Sequence, residues 1–293
     1  MLRVLIYGLG GVGGYLAAYL SQTKNEVVGV ARGNHLQAIK ENGLRVVEDD
    51  KTFTAEFEAV DEKELRGVFD VVIFCVKSYD LEDAALTCKP FLKKESIALC
   101  LANGVEHGDT LRRLLHVKVL DGCIYILSHI QNPGEIRKMG NVFALVFAGE
   151  GSELLADMCD EAGLRYKVPE NINEAIWKKY IFISTFAMLT SYYDEPIRSI
   201  YENHHDKALS VLKEVALIAK AKDIDIEEEI AKSLHTASKL PQTASTSMHK
   251  DIKAGRKDEL ETLCGYLVRE ADALHVSIPD IQRYYDELLK VHH

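Results

Sequence analysis

Residues 3–32 read RVLIYGLGGVGGYLAAYLSQTKNEVVGVAR, and this stretch decides the fold. An apolar run (residues 3–7) enters a glycine-rich loop, an amphipathic segment follows over residues 12–21, and a second β-rich run covers residues 26–31. Strand, loop, helix and strand in that order form a βαβ unit, and Gly8-Leu9-Gly10-Gly11-Val12-Gly13 fits the G-x-G-x-x-G spacing inside it. Gly8 permits the tight turn, Gly10 lets the backbone approach a pyrophosphate, and Gly13 lets the helix pack closely on the strand. The helix start supplies N–H groups without intrahelical acceptors, at the positive end of the helix dipole. The whole loop, including Leu9, Gly11 and Val12, is therefore the expected cofactor cradle.

The second β-run ends in Arg32, where NAD-preferring domains usually place Asp or Glu for the ribose 2′-hydroxyl. A guanidinium pairs with a 2′-phosphate that a carboxylate would repel. The expected cofactor is NADPH.

Outward from this unit, further β-rich runs fall at residues 69–76, 96–101 and 118–123, each followed by a glycine, a turn or a polar helix start. Residues 141–148 and 164–168 read as two more strands around a helix at 152–162. From residue 171 only helical patterns remain, at 171–191, 205–222, 227–237, 247–254, 259–274 and 279–291. Pro196, Pro241 and Pro279 punctuate them. The fold class is α/β: a Rossmann-like doubly wound parallel sheet over residues 1–168, followed by an all-helical C-terminal domain over 169–293 that carries the substrate and catalytic residues. In two-domain reductases of this layout the active site is usually the cleft between the domains.

The 293 residues carry a formal net charge of −10, which argues against a nucleic-acid footprint. No apolar run has the length of a membrane span, and the N-terminus lacks the features of a signal peptide, so the expectation is a cytoplasmic protein. The six cysteines form no C-x-x-C pair and read as reduced core residues. The eleven histidines show no ligand spacing, and no metal is expected. The helical domain offers a surface for a homodimer, and a monomer fits the pattern equally well. The terminal His292-His293 pair carries no weight.

Three segments have ligand-friendly placement. Lys77 and Asn103 follow β-runs at the edge where open α/β sheets bind ligands. Lys179 lies in Ile176-Trp177-Lys178-Lys179 among apolar neighbours; a lysine so placed can act as a general acid, although periodicity alone reads it as a snorkelling surface lysine.

The chain as a whole resembles the ketopantoate reductase (2-dehydropantoate 2-reductase) family. The resemblance rests on the glycine loop, Arg32, Val76-Lys77-Ser78, Asn103-Gly104, Asn132-Pro133-Gly134-Glu135-Ile136, and Glu174 through Lys179. It also rests on the array Ser247-Met248-His249-Lys250-Asp251, Arg256, Glu259 and Gly265. It implies NADPH-dependent reduction of a 2-oxo acid, ketopantoate, to pantoate in pantothenate and coenzyme A biosynthesis. By the same resemblance Lys77 and Ser128 flank the cofactor, and Asn103 lies near the nicotinamide ribose and the substrate. Lys179 donates the proton to the forming alkoxide, Ser247 holds the substrate carboxylate, and Glu259 orients cofactor or substrate hydroxyls. Without the resemblance, Glu259 reads as part of a solvated charged face.

One departure stands out. The family usually continues the lysine helix as K-x-x-x-N-x-x-x-N, and here those asparagine positions are Ile183 and Ala187. No asparagine matches the family's later one between Thr190 and Ile200, which leaves Thr190, Tyr192 and Tyr193 as replacements for the lost contacts. An apolar wall lowers discrimination for a polar substrate. Two alternatives stay open: a reductase of a different, less polar 2-oxo acid, and a non-catalytic NADP(H)-binding sensor.

Overall fold

The first strand, β1 (Arg3–Tyr7), alternates its side chains between two cores, as a parallel strand covered on both faces must. Val4 and Ile6 enter one core with Leu16 and Ala17, whereas Leu5 and Tyr7 enter the other with Leu81 and Ala85. The computed structural model describes residues 1–292. After β1 come α1 (Gly11–Leu20), β2 (Glu26–Val30), α2 (Gly33–Asn42), β3 (Leu44–Val47), β4 (Thr52–Ala55), β5 (Glu58–Val60) and β6 (Phe69–Phe74). The chain continues through α3 (Leu81–Cys88), β7 (Leu92–Cys100), α4 (His107–Leu114), β8 (Lys118–Asn132), β9 (Glu135–Ala148), α5 (Ser152–Ala162) and β10 (Tyr166–Lys167).

Strands β5-β2-β1-β6-β7-β8 lie side by side and run parallel. The winding leaves β1 toward β2 on one side and returns to β6 on the other. The C-terminal end of β1, where Gly8 begins, is therefore the topological switch point at which such sheets bind ligands.

The sheet is mixed rather than wholly parallel. β8 runs on to Asn132, turns at Pro133-Gly134 and returns antiparallel as β9, which then pairs with β3, while β4 closes the edge antiparallel to β3. The sequence reading found only the buried ends of this hairpin, at 118–123 and 141–148. Its outer half is largely exposed, with polar residues such as Ser128, His129 and Gln131 among the apolar ones, so the apolar strand signal fades there.

The chain divides into two compact units: Met1–Ala102 with Glu106–Ile172, and Asn103–Val105 with the residues from Asn173 onward. Asn103, expected within 1–168, thus groups with the helical unit. That unit contains α6 (Ile172–Tyr193, which starts one residue earlier), α7 (Ile197–Asn203), α8 (His205–Ala221) and α9 (Glu228–Lys239). It ends with α10 (Ser247–Lys253), α11 (Tyr266–Leu274) and α12 (Pro279–His292). Its core joins Trp177, Tyr180 and Phe186 of α6 to Val211, Leu212 and Val215 of α8 and Tyr284 of α12. The expected helix 259–274 is interrupted: Glu259 is non-helical, and a π-helical turn over Glu261–Gly265 precedes α11. Among the described residues no helix is long and apolar enough to cross a membrane.

Glu214 of α8 is 6% exposed and accepts the backbone N–H groups of Asp280 (3.0 Å) and Ile281 (2.8 Å). It caps the start of α12, where Pro279 has no N–H to satisfy. Burial pushes the Glu214 carboxyl above its usual range, against the lowering effect of the two backbone donors. A raised acid stabilises the fold when protonated, and that contribution is lost as pH rises through the folded-state value. Glu214→Gln is expected to remove the decline. Denaturant unfolding at about pH 4.5 and pH 7 should shift in the variant's favour at the higher pH; an unchanged difference would refute this.

Candidate functional site

In the first unit, β1 hands the chain directly to the loop. The N–H groups of Gly8 and Leu9 both donate to the Val30 carbonyl (3.1 and 3.0 Å), and Cys75 N–H donates to the Tyr7 carbonyl (2.8 Å). Gly8 has φ +103°, a conformation that favours glycine. A Cβ at Gly13 would fall on the Gly8 carbonyl oxygen, so α1 packs on the loop with no room for a side chain. At Gly10 the opposite holds: beyond its chain neighbours, a Cβ there would meet no atom of the described residues within 4 Å. The first turn of α1 has neither a side-chain cap nor an acidic residue. Its leading N–H groups have no intrahelical partners, and an anion is what such a terminus accepts.

Ser128 reaches this place from β8, its backbone carbonyl lying 2.5 Å from where a Gly11 Cβ would stand. The Ser128 hydroxyl is buried and has no hydrogen-bond partner among the described residues. A buried orphan hydroxyl beside an uncapped helix start and an open Gly10 fits a bound polar cofactor. The Leu9 side chain is core, 2.7 Å from the position of a Gly29 Cβ, so Leu9 offers the site only its backbone. The Val12 side chain is half-buried. Arg32 precedes α2 in an extended conformation, its side chain 90% exposed and 4.0 Å from the Asp80 carboxylate. Such a pair is weak enough to yield to a phosphate. Half-buried Lys77 follows β6 and starts the turn that carries Asp80.

In the helical unit, α6 separates two adjacent lysines. Lys178 pairs with Glu174 (2.6 Å) and Glu228 (3.4 Å), which makes it a surface ion-pair residue. Lys179, half-buried, instead donates from Nζ to the Asn103 Oδ1 at 3.0 Å. The structure thus brings together two residues that the sequence singled out separately. The next residue, Tyr180, donates from its hydroxyl to the carbonyls of Thr262 (3.2 Å) and Leu263 (2.9 Å). Those carbonyls lie in the π-helical turn, whose wider path frees backbone groups for outside partners. Tyr180 thereby fastens the segment that begins at Glu259 to α6 beside Lys179. Glu259 is 3% exposed, so it is not part of a solvated face.

Ser247 opens α10 and is exposed. Its loop is tied to the far end of α6 by two links. Thr246 Oγ1 lies 2.9 Å from Thr190 Oγ1, and His249 bridges Ser245 Oγ (2.6 Å) and Asp194 Oδ1 (2.7 Å). Lys253 joins the same carboxylate at 2.7 Å, and Lys253 with His249 holds the Asp194 carboxyl below its usual range. Thr190 lies about three helical turns beyond Lys179, on the same face. Half-buried Ile183 and buried Ala187 fall between them. Asp251 and Arg256 pair through two hydrogen bonds (2.9 and 2.7 Å) and close the turn after α10 that leads to Glu259.

The hydroxyls expected to replace the family's asparagines are engaged elsewhere. Thr190 donates to the Phe186 carbonyl (2.6 Å), Tyr192 donates to Glu287 (2.6 Å), and Tyr193 meets the Tyr284 hydroxyl (3.0 Å). The packing of α6 on α10 and α12 takes all three. The sequence reading missed Tyr180, Asp194, Ser245 and His249. A histidine inside the Ser247–Asp251 array was the one available signal.

The chain matches two family profiles, "Ketopantoate reductase PanE/ApbA" over residues 4–149 and "Ketopantoate reductase PanE/ApbA C terminal" over residues 171–292. It is 29% identical to an uncharacterized oxidoreductase, YkpB, of Bacillus subtilis, covering 98% of each chain. The structure of 2-dehydropantoate 2-reductase from Porphyromonas gingivalis W83 is similar at 34% identity and a TM-score of 0.85, over 98% of this chain and 99% of that one. A PanE/ApbA family ketopantoate reductase from Ralstonia eutropha JMP134 superposes with a TM-score of 0.93 at 29% identity, over 99% and 98% of the two chains. A D-mandelate dehydrogenase solved with NADH and anilino(oxo)acetate shares the fold, with a TM-score of 0.89 at 23% identity over 99% and 98%.

Proposed function

The chain belongs to the ketopantoate reductase PanE/ApbA family of oxidoreductases, and from that premise we propose that it reduces a 2-oxo acid to the 2-hydroxy acid with NADPH. The observation that carries this reading is the Lys179 ammonium group held on the Asn103 amide oxygen, on the helix that also anchors the Glu259 segment. NADPH, when bound, supplies the hydride. The α1 start and the Ser128 hydroxyl hold its polar groups, Lys77 lies beside it, and Arg32 takes its 2′-phosphate. Asn103 accepts one N–H of Lys179 and so fixes the direction of the remaining two. One of these donates the proton to the substrate oxygen, while the positive charge stabilises the oxygen as it becomes an alkoxide. Ser247 takes the substrate carboxylate, and buried Glu259 accepts hydroxyl hydrogens of cofactor or substrate. The six reduced cysteines fit a cytoplasmic setting.

Ketopantoate is the first substrate to test. Ile183 and Ala187 favour a second reading, in which the substrate carries an alkyl or aryl group where the family's asparagines would meet polar atoms. The D-mandelate dehydrogenase recorded with an oxoacetate shows what one protein of this fold accommodates. Steady-state NADPH oxidation with ketopantoate and with alkyl and aryl 2-oxo acids separates the two. Turnover confined to ketopantoate would refute the second reading, and turnover with none of them would refute reduction of this substrate class.

Arg32→Glu is expected to raise the KM for NADPH about 10- to 100-fold, the worth of a charge-assisted contact replaced by repulsion, and to leave NADH use unchanged. Equal loss with both cofactors would remove Arg32 from the 2′-phosphate.

A further inference from the structure

His35, three residues after Arg32 on α2, engages the glycine loop from outside the G-x-G-x-x-G pattern. Its Nε2 lies 2.8 Å from the Leu9 carbonyl oxygen, and its Nδ1 lies 3.0 Å from the Gly134 backbone nitrogen. An amide N–H only donates and a carbonyl only accepts, so one neutral tautomer serves both: Nδ1 accepts from Gly134, and Nε2–H donates to Leu9. Burial, which pushes the His35 pKa down, favours that neutral form.

The consequence for the loop follows from peptide geometry. The Leu9 carbonyl and the Gly10 N–H belong to one planar trans unit and point in opposite directions. Holding the carbonyl on the imidazole therefore aims the Gly10 N–H to the other side of the loop. At Gly10, apart from its chain neighbours, no described residue has a heavy atom within 4 Å of where a Cβ would stand. The other end of the imidazole bridge is a fixed point. Gly134 accepts from Arg45 N–H at 2.9 Å, the next residue Glu135 pairs with the Arg45 guanidinium at 2.6 Å, and Ile136 is fully buried. Ile136 also lies 2.8 Å from the position of a Gly14 Cβ, directly against α1. The Asn132–Ile136 segment is thus the anchor to which α1 and, through His35, its glycine loop are referenced.

We propose that His35 is a positioning residue for the dinucleotide site: bridging Gly134 to the Leu9 carbonyl, it holds the Leu9–Gly10 peptide with its N–H presented to the cofactor's pyrophosphate. The inference rests on the reading that this loop binds NADPH. Its test is fluorescence titration of NADPH with the wild type, His35→Ala, His35→Phe and His35→Gln, alongside thermal unfolding. Alanine and phenylalanine remove both hydrogen bonds, whereas a glutamine amide supplies one donor and one acceptor. The expected result is a Kd raised about tenfold in the first two, the worth of roughly one hydrogen bond. Glutamine is expected to stay within about threefold of wild type, with kcat at saturating NADPH and KM for the 2-oxo acid unchanged in all folded variants. Wild-type Kd in folded His35→Ala or His35→Phe, or equal weakening by glutamine, would overturn the inference. Should the first two fail to fold, glutamine decides alone: a near-wild-type Kd supports the proposal and a tenfold rise overturns it. A wild type that binds no NADPH would instead defeat the cofactor reading itself.

Discussion

Lys179→Ala is expected to lower kcat by about 10²- to 10⁴-fold while leaving the Kd for NADPH unchanged. The magnitude is that of a removed general acid, with loss of the charge that stabilises the oxyanion in the same range. The selectivity follows from the roles assigned: the glycine loop, Ser128 and Arg32 hold NADPH, whereas Lys179, held on Asn103, acts on the substrate oxygen. Lys178→Ala is the matched control, since that lysine is already paired with Glu174 and Glu228 and should retain near-wild-type turnover. Turnover by a protein that binds NADPH, undiminished in Lys179→Ala, would remove this lysine from the reaction. Absence of turnover in the wild type despite NADPH binding would favour the sensor reading.

The second large effect is expected at Gly13. A methyl group there falls on the Gly8 carbonyl oxygen and 2.9 Å from the Cys75 Cβ, both in a fully packed strand–loop–helix contact. Helix α1 must back away from β1, at about 1–3 kcal/mol for the overpacking. The same movement withdraws the first-turn N–H groups from the phosphates. Gly13→Ala is therefore expected to melt at a lower temperature and to lose the upward shift that saturating NADPH gives the wild type. A variant that keeps that shift would show that the cofactor does not depend on this close approach.

How much of this was legible before the structure depends on whether the signal was local. The βαβ unit is a local pattern, and β1, α1 and β2 fall where the apolar runs and glycines place them. The place of Arg32, just after β2, was legible for the same reason. The β8–β9 hairpin was half hidden because its outer residues are exposed. Glu174 at i,i+4 spacing is a local signal for the Lys178 ion pair, but the amide partner of Lys179 is Asn103, 76 positions earlier in the chain, and no local pattern shows it. Glu259 read as solvated because its neighbours are charged, yet a π-helical turn pinned by Tyr180 lies next to it and Glu259 is buried. The hydroxyls of Tyr192 and Tyr193 looked available because their partners, Glu287 and Tyr284, lie some 90 residues on, in α12. Long-range partners decide which polar side chains remain for a substrate, and periodicity does not see them.

Hydride transfer itself is the most direct test. The protein, incubated with NADPH deuterated at the transferable C4 position and with ketopantoate or an alkyl or aryl 2-oxo acid, is expected to yield a 2-hydroxy acid carrying one deuterium at C2 by mass spectrometry. Protein that binds NADPH but forms no labelled hydroxy acid from any of these 2-oxo acids would contradict the account.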